Sequence, residues 1–199
     1  YERKLWKKGL SLVAGVDEVG RGAWAGPLFA AAVIFSPDVR LRRGINDSKK
    51  LSPKRRIELV KLIKEKALVW SVGSVGAEFV DDKGIVAATE KAMAKALGGL
   101  RVGPDFVLID YFKLPSWPEE KQLPLKQGDS LSISIAAASI LAKVSRDAQM
   151  EELAARYPGY GFEFHKGYGT KRHQEGIRNL GPCEIHRTSF IPEHYGTHS

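Results

Sequence analysis

Apolar residues in this chain come in short runs separated by polar and basic stretches, and each run points to an element. Residues 12–18 (LVAGVDE) and 28–35 (LFAAAVIF) predict two tandem strands, the second buried, joined as a hairpin through GRGAWAGP. Residues 45–67 supply a polar loop and then a helix, with Ser52 as its N-cap and Pro53 at its first position. Ile57, Val60 and Ile63 are its expected buried stripe, with Lys54, Arg55, Lys61 and Lys64 elsewhere around it. Residues 67–75 return to a strand, and residues 84–100 to a helix that Gly98-Gly99 ends. Residues 105–112 (DFVLIDYF) predict a short strand ending at Asp110, followed by a Pro-rich loop over 114–124. After the turn Gly128-Asp129-Ser130 a long helix runs from 132 to about 157, where Pro158-Gly159 stops it. Beyond it lie a loop rich in glycine and aromatics (FHKGYGTKRH), a short helix and a tail without periodicity.

Strand and helix alternate, so the fold class is α/β. With 199 residues, 43% of them hydrophobic, the expectation is one domain with one core: about 12–157 as its main body, and 158–199 as a C-terminal segment. Charge then narrows the partner. Thirty-one Lys and Arg against 23 Asp and Glu leave +8, a balance that favours a polyanion, nucleic acid ahead of an anionic membrane surface; the plain alternative is a solubilising surface charge. The single cysteine, Cys183, rules out an internal disulfide framework and a CxxC metal site, and fits a reducing, cytoplasmic setting. No apolar stretch has the length of a membrane span, so a soluble chain with no membrane partner is expected.

Candidate chemistry lies at the strand ends. A carboxylate there is costly unless paired, hydrogen-bonded or bound to a cation, and two strands end this way, one in Asp17-Glu18 and the other in Asp110. In an open α/β sheet the carboxyl ends of strands border the site, so these acids can converge although far apart in sequence. Asp129 is a fourth acid able to face the same cleft; from position alone its role as a turn or helix-start aspartate is the stronger reading. Oxygen ligands without a Cys or His pair suit Mg²⁺ or Mn²⁺ over zinc. Two such ions about 3.5–4 Å apart activate a water and stabilise a phosphodiester's leaving oxygen. In a regular strand Asp17 and Glu18 point to opposite sides, so Glu18 contributes through its carbonyl or where the strand is already ending. His165, His173 and His186 are too scattered for a metal motif, and surface or loop roles are expected of them.

The segments GVDEVGRGAWAGP, NDSKKLS, IDYF, GDS, AAASILAKVSRD, HKGYGT and IHR-SF, in this order, resemble the type 2 ribonuclease H (ribonuclease HII) family from about Leu5 to Phe190. The resemblance implies a ribonuclease H-like fold, a central mixed sheet flanked by helices with a helical, loop-rich C-terminal segment closing one side of the substrate groove. It also implies an endonuclease that hydrolyses the RNA strand of RNA/DNA hybrids. Such an enzyme also incises DNA 5′ of a single embedded ribonucleotide, leaving a 3′-hydroxyl and a 5′-phosphate. Its metal ligands match Asp17, Glu18, Asp110 and Asp129, which holds two Mg²⁺ or Mn²⁺ ions and sets aside the turn reading of Asp129. Gly20-Arg21-Gly22 matches the element that reads the ribonucleotide 2′-hydroxyl, largely through backbone groups; glycine leaves the backbone open to a sugar, and that hydroxyl separates RNA from DNA. Tyr168 matches the tyrosine that stacks on the neighbouring sugar.

Ser48, Lys49, Lys50, Lys143 and Arg146 are candidates for phosphate contact, which neutralises charge without reading sequence. Asp147, one helical turn beyond Lys143, is a rival acid ranked below Asp129. His165 and Lys166 hold the tyrosine loop or touch the backbone. Three positions depart from the commonest family wording: Val19 for alanine, Tyr111 where glycine is common, and Leu131 where lysine is often near. They bear on substrate preference and rate. A monomer is expected, and a clamp-recruiting peptide is not evident in GTHS. The rival readings are another nuclease of this fold (a type 3 ribonuclease H or a junction resolvase) and a non-catalytic nucleic-acid-binding module.

Overall fold

The structure, a computed structural model, describes residues 1–40, 45 and 52–196. Five strands form one sheet: β1 (Val13–Val19), β2 (Leu28–Phe35), β3 (Ala67–Val75), β4 (Phe106–Asp110) and β5 (Gln122–Leu125), in the order β3-β2-β1-β4-β5. β1 pairs antiparallel with β2, and β2 with β3, whereas β4 lies parallel to both β1 and β5. The sheet is therefore mixed, and the expected hairpin is present.

Helices cover both faces. On β2 the even positions Leu28, Ala30, Ala32 and Ile34 pack with Ala88, Ala92, Met93 and Ala96 of α3 (Ala77–Gly98). Its odd positions Ala31, Val33 and Phe35 pack with the alanine-rich face of α5 (Ile133–Arg156) and with Leu59 and Ile63 of α2 (Pro53–Lys66). A strand covered on both faces is apolar at every position, which is why LFAAAVIF shows no alternation. On β1, Ala14 and Val16 join the α3 face. Gly15 turns toward α5, where an added Cβ would run into the backbone of Ser134 and Ile135. That missing side chain lets the start of α5 sit directly on β1.

α2 is capped as expected, the Ser52 hydroxyl accepting from Arg55 N–H at 3.3 Å. Its buried stripe differs from the expected one: Ile57 is 52% exposed, while Leu59 and Ile63, one turn apart, face the core. Several elements lie outside the sequence reading, and α3 is longer than expected. α1 (Glu2–Trp6) buries Glu2, which accepts from Ser132 Oγ (2.6 Å) and Ser134 N (2.8 Å) and so closes the open N-terminus of α5. β5 pairs inside the Pro-rich stretch. α3 begins at Ala77 and passes a non-helical Gly84, where the predicted helix had started. α4 (Gly128–Leu131) adds a single turn just ahead of α5. The C-terminal part, α6 (Phe162–His165), α7 (Lys171–Leu180) and α8 (Glu193–Gly196), packs on the far half of α5 through Met150, Leu153, Tyr160, Phe162 and Ile177. Among the described residues no helix is long and apolar enough to cross a membrane.

Candidate active site

β1 and β4 run parallel in register from Val13↔Phe106 to Val16↔Ile109, so Asp17 and Asp110 end neighbouring strands at one edge. Beyond that point β1 keeps only one neighbour: it pairs with β2 as far as Val19↔Phe29 after its pairing with β4 has stopped. Asp17 and Glu18 occupy this one-sided stretch, and both line a cleft of about 400 Å³ with Val19, Arg56, Asp110, Ser139, Ile140 and Lys143. An open flank beside β1 explains how two consecutive strand residues reach one cleft.

Electrostatics mark the cluster. Burial, reinforced by the charges of Glu18 and then Asp110, holds the Asp17 carboxyl well above the usual carboxylate range; hydrogen bonds from the Ser139 hydroxyl and Glu18 N–H pull the other way. Asp129 is buried in α4, outside the cleft wall proper. The preceding N–H, from Gly128, donates 2.6 Å to Asp110 Oδ1, fixing the turn that carries the fourth acid against the third. Among the described residues no three His, Cys, Asp or Glu side chains close into a ready-made cage. The donor set nevertheless fits a hard divalent cation: oxygen-only, with Asp17 and Asp129 buried and Glu18 and Asp110 half-buried, and strained by like charge that a cation offsets.

Beside the acids lies the loop Gly20-Arg21-Gly22. Gly20 has φ +93°, and a Cβ there would land on the Arg146 guanidinium, whereas a Cβ on Gly22 would meet open space. Arg21 reaches Glu18 Oε1 at 3.9 Å and places its guanidinium 4.3 Å from the centre of the Phe112 ring. Two buried arginines set this loop. Arg187 donates to the carbonyls of Gly20 (2.7 Å), Arg21 (3.1 Å) and Gly26 (2.8 and 3.1 Å). Arg146 donates to Pro27 O (2.9 Å) and Ala25 O (3.2 Å), and its guanidinium stands 5.4 Å from the Tyr168 ring centre. The Tyr168 loop is tied to the same turn, since Trp24 and Ala25 N–H both donate to Gly167 O.

Two expectations are corrected here. Arg146, expected among the phosphate contacts, is 0% exposed and braces the glycine turn through its bonds to Pro27 O and Ala25 O. The three histidines are neither scattered nor on the surface. His165 and His173 stack at 4.5 Å, and His173 Nε2 lies 3.0 Å from His186 Nε2. Cys183 N–H, an obligate donor, points at His186 Nδ1 (2.9 Å), so His186 donates from Nε2 to His173, which donates from Nδ1 to Tyr168 O (3.1 Å). Burial pushes both His173 and His186 down to about 4, keeping this chain neutral. His165 holds the loop, taking Gly167 N–H on Nδ1 and facing Tyr160 O through Nε2.

Lys143 does line the cleft, paired with Asp147 at 2.7 Å, which gives that acid a lysine partner on α5 away from the strand ends. Ser48, Lys49 and Lys50 lie outside the described residues. Arg56, Ser139 and Arg187 are the cleft and loop residues that sequence reasoning did not assign. For Arg187 the one signal was its place in the IHR segment.

The chain matches the family model described as Ribonuclease HII over residues 14–192. It is 50% identical over 190 residues to the ribonuclease HII of Moorella thermoacetica, covering 96% of this chain and 91% of that one. It is also 50% identical over 192 residues to that of Syntrophomonas wolfei, covering 96% and 74%. Among solved structures it is similar to the ribonuclease HII of Archaeoglobus fulgidus, determined as a complex with PCNA (TM-score 0.76, 28% identity, 92% of this chain and 96% of that one). Bst-RNase HIII, determined in complex with Mn²⁺, shares the fold at TM-score 0.60 and 22% identity, over 86% of this chain and 63% of that one. With an α/β ribonuclease H-like fold and these relatives, the chain belongs to the ribonuclease HII family, metal-dependent endonucleases of the ribonuclease H type that act on RNA/DNA hybrids.

Proposed function

We propose that this protein incises duplexes on the 5′ side of a ribonucleotide, single or within a hybrid, leaving a 3′-hydroxyl and a 5′-phosphate. The observation that carries the reading is the placement of Asp17 beside Glu18 and Asp110 where β1 and β4 stop pairing, with its acidity suppressed by burial first and by their charges second. Asp17, Glu18, Asp110 and Asp129 would hold two divalent cations, Mg²⁺ or Mn²⁺, the latter being the ion in the Bst-RNase HIII complex. Bound there, such cations lower the pKa of an attacking water and neutralise charge on the leaving oxygen. The protein's own groups do the rest. Ser139 orients Asp17, Lys143 offers a cation to a phosphate at the cleft wall, and Gly22 leaves the backbone open to a sugar. Arg187 occupies the Gly20 and Arg21 carbonyls, which fixes the direction of the loop that reads the 2′-hydroxyl. Tyr168 packs on the next sugar, and Ser48, Lys49 and Lys50 add phosphate contacts. Residues 12–157 form the catalytic body and 158–199 the segment closing the groove, working as a monomer in the cytoplasm.

The test is incision of an end-labelled DNA duplex carrying one ribonucleotide, with Mg²⁺, Mn²⁺ or chelator. Metal-dependent cutting at the phosphate 5′ of the ribonucleotide, lost in Asp17→Asn with binding retained, is the expected result. Cutting of long hybrids alone would remove the junction-reading role of Gly20-Arg21-Gly22 and Tyr168.

A further inference from the structure

Tyr111 directly follows Asp110 and adopts φ +64°, a left-handed conformation that a bulky side chain disfavours. Phe112 N–H closes back onto Asp110 O at 2.7 Å, so Tyr111 is the middle residue of a three-residue turn with positive φ, the rare and strained form. Such a residue costs on the order of 1–3 kcal/mol and persists where the surroundings hold it. Glycine would take this turn without strain, and it is the residue that the family resemblance puts there.

Core packing does not account for the tyrosine, because the residue is 66% exposed. It stands edge-on to Phe112 at 5.5 Å and 71°, and the Phe112 ring carries the Arg21 guanidinium at 4.3 Å. Arg21 in turn reaches Glu18. A strip of aromatic and cationic groups thus runs from the residue after the third acid to the glycine loop and ends at Glu18, which lines the cleft. Its outer end, the Tyr111 ring, is open to solvent in a protein of net charge +8 whose family acts on nucleic acid.

We propose that Tyr111 is a binding subsite for the sugar of a nucleotide flanking the scissile phosphate, its ring packing on the sugar face presented by the shallow minor groove of the hybrid. A-form duplexes expose sugars there and hide base edges elsewhere, so the contact is independent of sequence. The subsite rests on the reading of Asp17, Glu18 and Asp110 as the catalytic centre.

The experiment compares steady-state cleavage of the single-ribonucleotide duplex and thermal unfolding for the intact protein and for Tyr111→Phe, Tyr111→Ala and Tyr111→Gly. Removing the ring should raise KM about fivefold or more. Tyr111→Ala and Tyr111→Gly should show this with kcat within about twofold, while Tyr111→Phe keeps the parent KM. Tyr111→Gly should also melt higher than the parent, because strain is released as binding is lost. An unchanged KM in Tyr111→Ala, whether or not Tyr111→Gly melts higher, overturns the subsite. Failure of the parent protein to cut either this duplex or a continuous RNA/DNA hybrid with any divalent metal would instead overturn the underlying reading of the acids.

Discussion

Arg187 donates a 2.7 Å hydrogen bond to the carbonyl of Gly20, a residue 167 positions earlier in the chain, and a second of 3.1 Å to Arg21 O. The guanidinium is fully buried; if it is removed, Arg21 O loses this donor and Gly20 O keeps the longer 3.3 Å bond from Ala23 N–H. A hydrogen bond to a charged group contributes about 1.5–3 kcal/mol, and a buried acceptor left bare costs about 1–3 kcal/mol. Arg187→Met should therefore destabilise by roughly 3–5 kcal/mol, read from denaturant midpoints. Arg187→Lys keeps the charge but not the fork. It should fold better than the methionine variant yet lose preference for a single-ribonucleotide duplex over a continuous hybrid, measured as a ratio of cleavage rates.

Gly20 and Gly22 flank the same arginine and should respond oppositely to one methyl group. At Gly20 the positive φ and the Arg146 guanidinium both oppose a Cβ; Gly20→Ala should lose roughly 2–4 kcal/mol of stability. At Gly22 the space is empty, so Gly22→Ala should unfold at the parental denaturant concentration. If the loop reads a sugar through its backbone, this second variant alone will bind and cut the ribonucleotide duplex poorly while remaining folded. Parental cleavage by Gly22→Ala would remove that residue from the reading surface.

What was legible in advance follows a physical line. Strands β1, β2 and β4 and helix α5 announce themselves because they are covered on both faces or carry a broad apolar stripe, and their terminal acids are anomalous by chemistry alone. α2 misled at one position of its stripe: Ile63 is buried and Val60 packs against the core as expected, but the neighbouring strand and helix meet Leu59 and leave Ile57 exposed. β5 stayed hidden because Pro and Gln interrupt it and it pairs along one edge. Arg146, Arg187 and the histidines escaped for a common reason. Their roles arise from hydrogen bonds across long sequence separations, which no periodicity encodes.

The His186–His173–Tyr168 chain gives the protein a sensitivity to acid. Both histidines titrate near 4 when folded against an ordinary 6.5, so their folded pKa is depressed. Below 6.5 the unfolded chain binds protons that the folded one refuses; the stability contributed by neutral burial is complete above 6.5 and is lost as pH falls toward 4. Each histidine adds up to about 1.4 kcal/mol per pH unit in that window. Asp17, with its raised pKa, works in the opposite direction, so the comparison needs a variant. His173→Asn, whose amide keeps a donor toward Tyr168 O, should unfold with a pH slope shallower by about one proton between pH 6 and 5. His173→Gln, built to reach His186 instead, should show the same slope but weaker junction preference. Equal slopes in the parent and both variants would mean that His173 is not held neutral.

Asp17 supplies a readout of cation binding that does not depend on catalysis. Without a cation, burial and the charges of Glu18 and Asp110 disfavour the ionised form of its carboxyl, an arrangement that penalises the fold near neutral pH. Asp17→Asn removes that charge while keeping the shape, so in chelator the variant should melt higher than the parent. Adding Mg²⁺ or Mn²⁺ reverses the order. A cation that binds only the folded parent stabilises it by about 2.7 kcal/mol at one hundred times its dissociation constant, and the asparagine variant, with a weakened ligand set, gains less. Ser139→Ala is the control for orientation: it deletes the hydroxyl on Asp17 without altering the net charge of the cleft. It should retain the metal-induced rise in melting temperature with a weaker apparent affinity. A parent whose melting temperature is indifferent to both cations, or an asparagine variant that gains as much as the parent, would exclude Asp17 as a ligand whatever the nuclease assay shows.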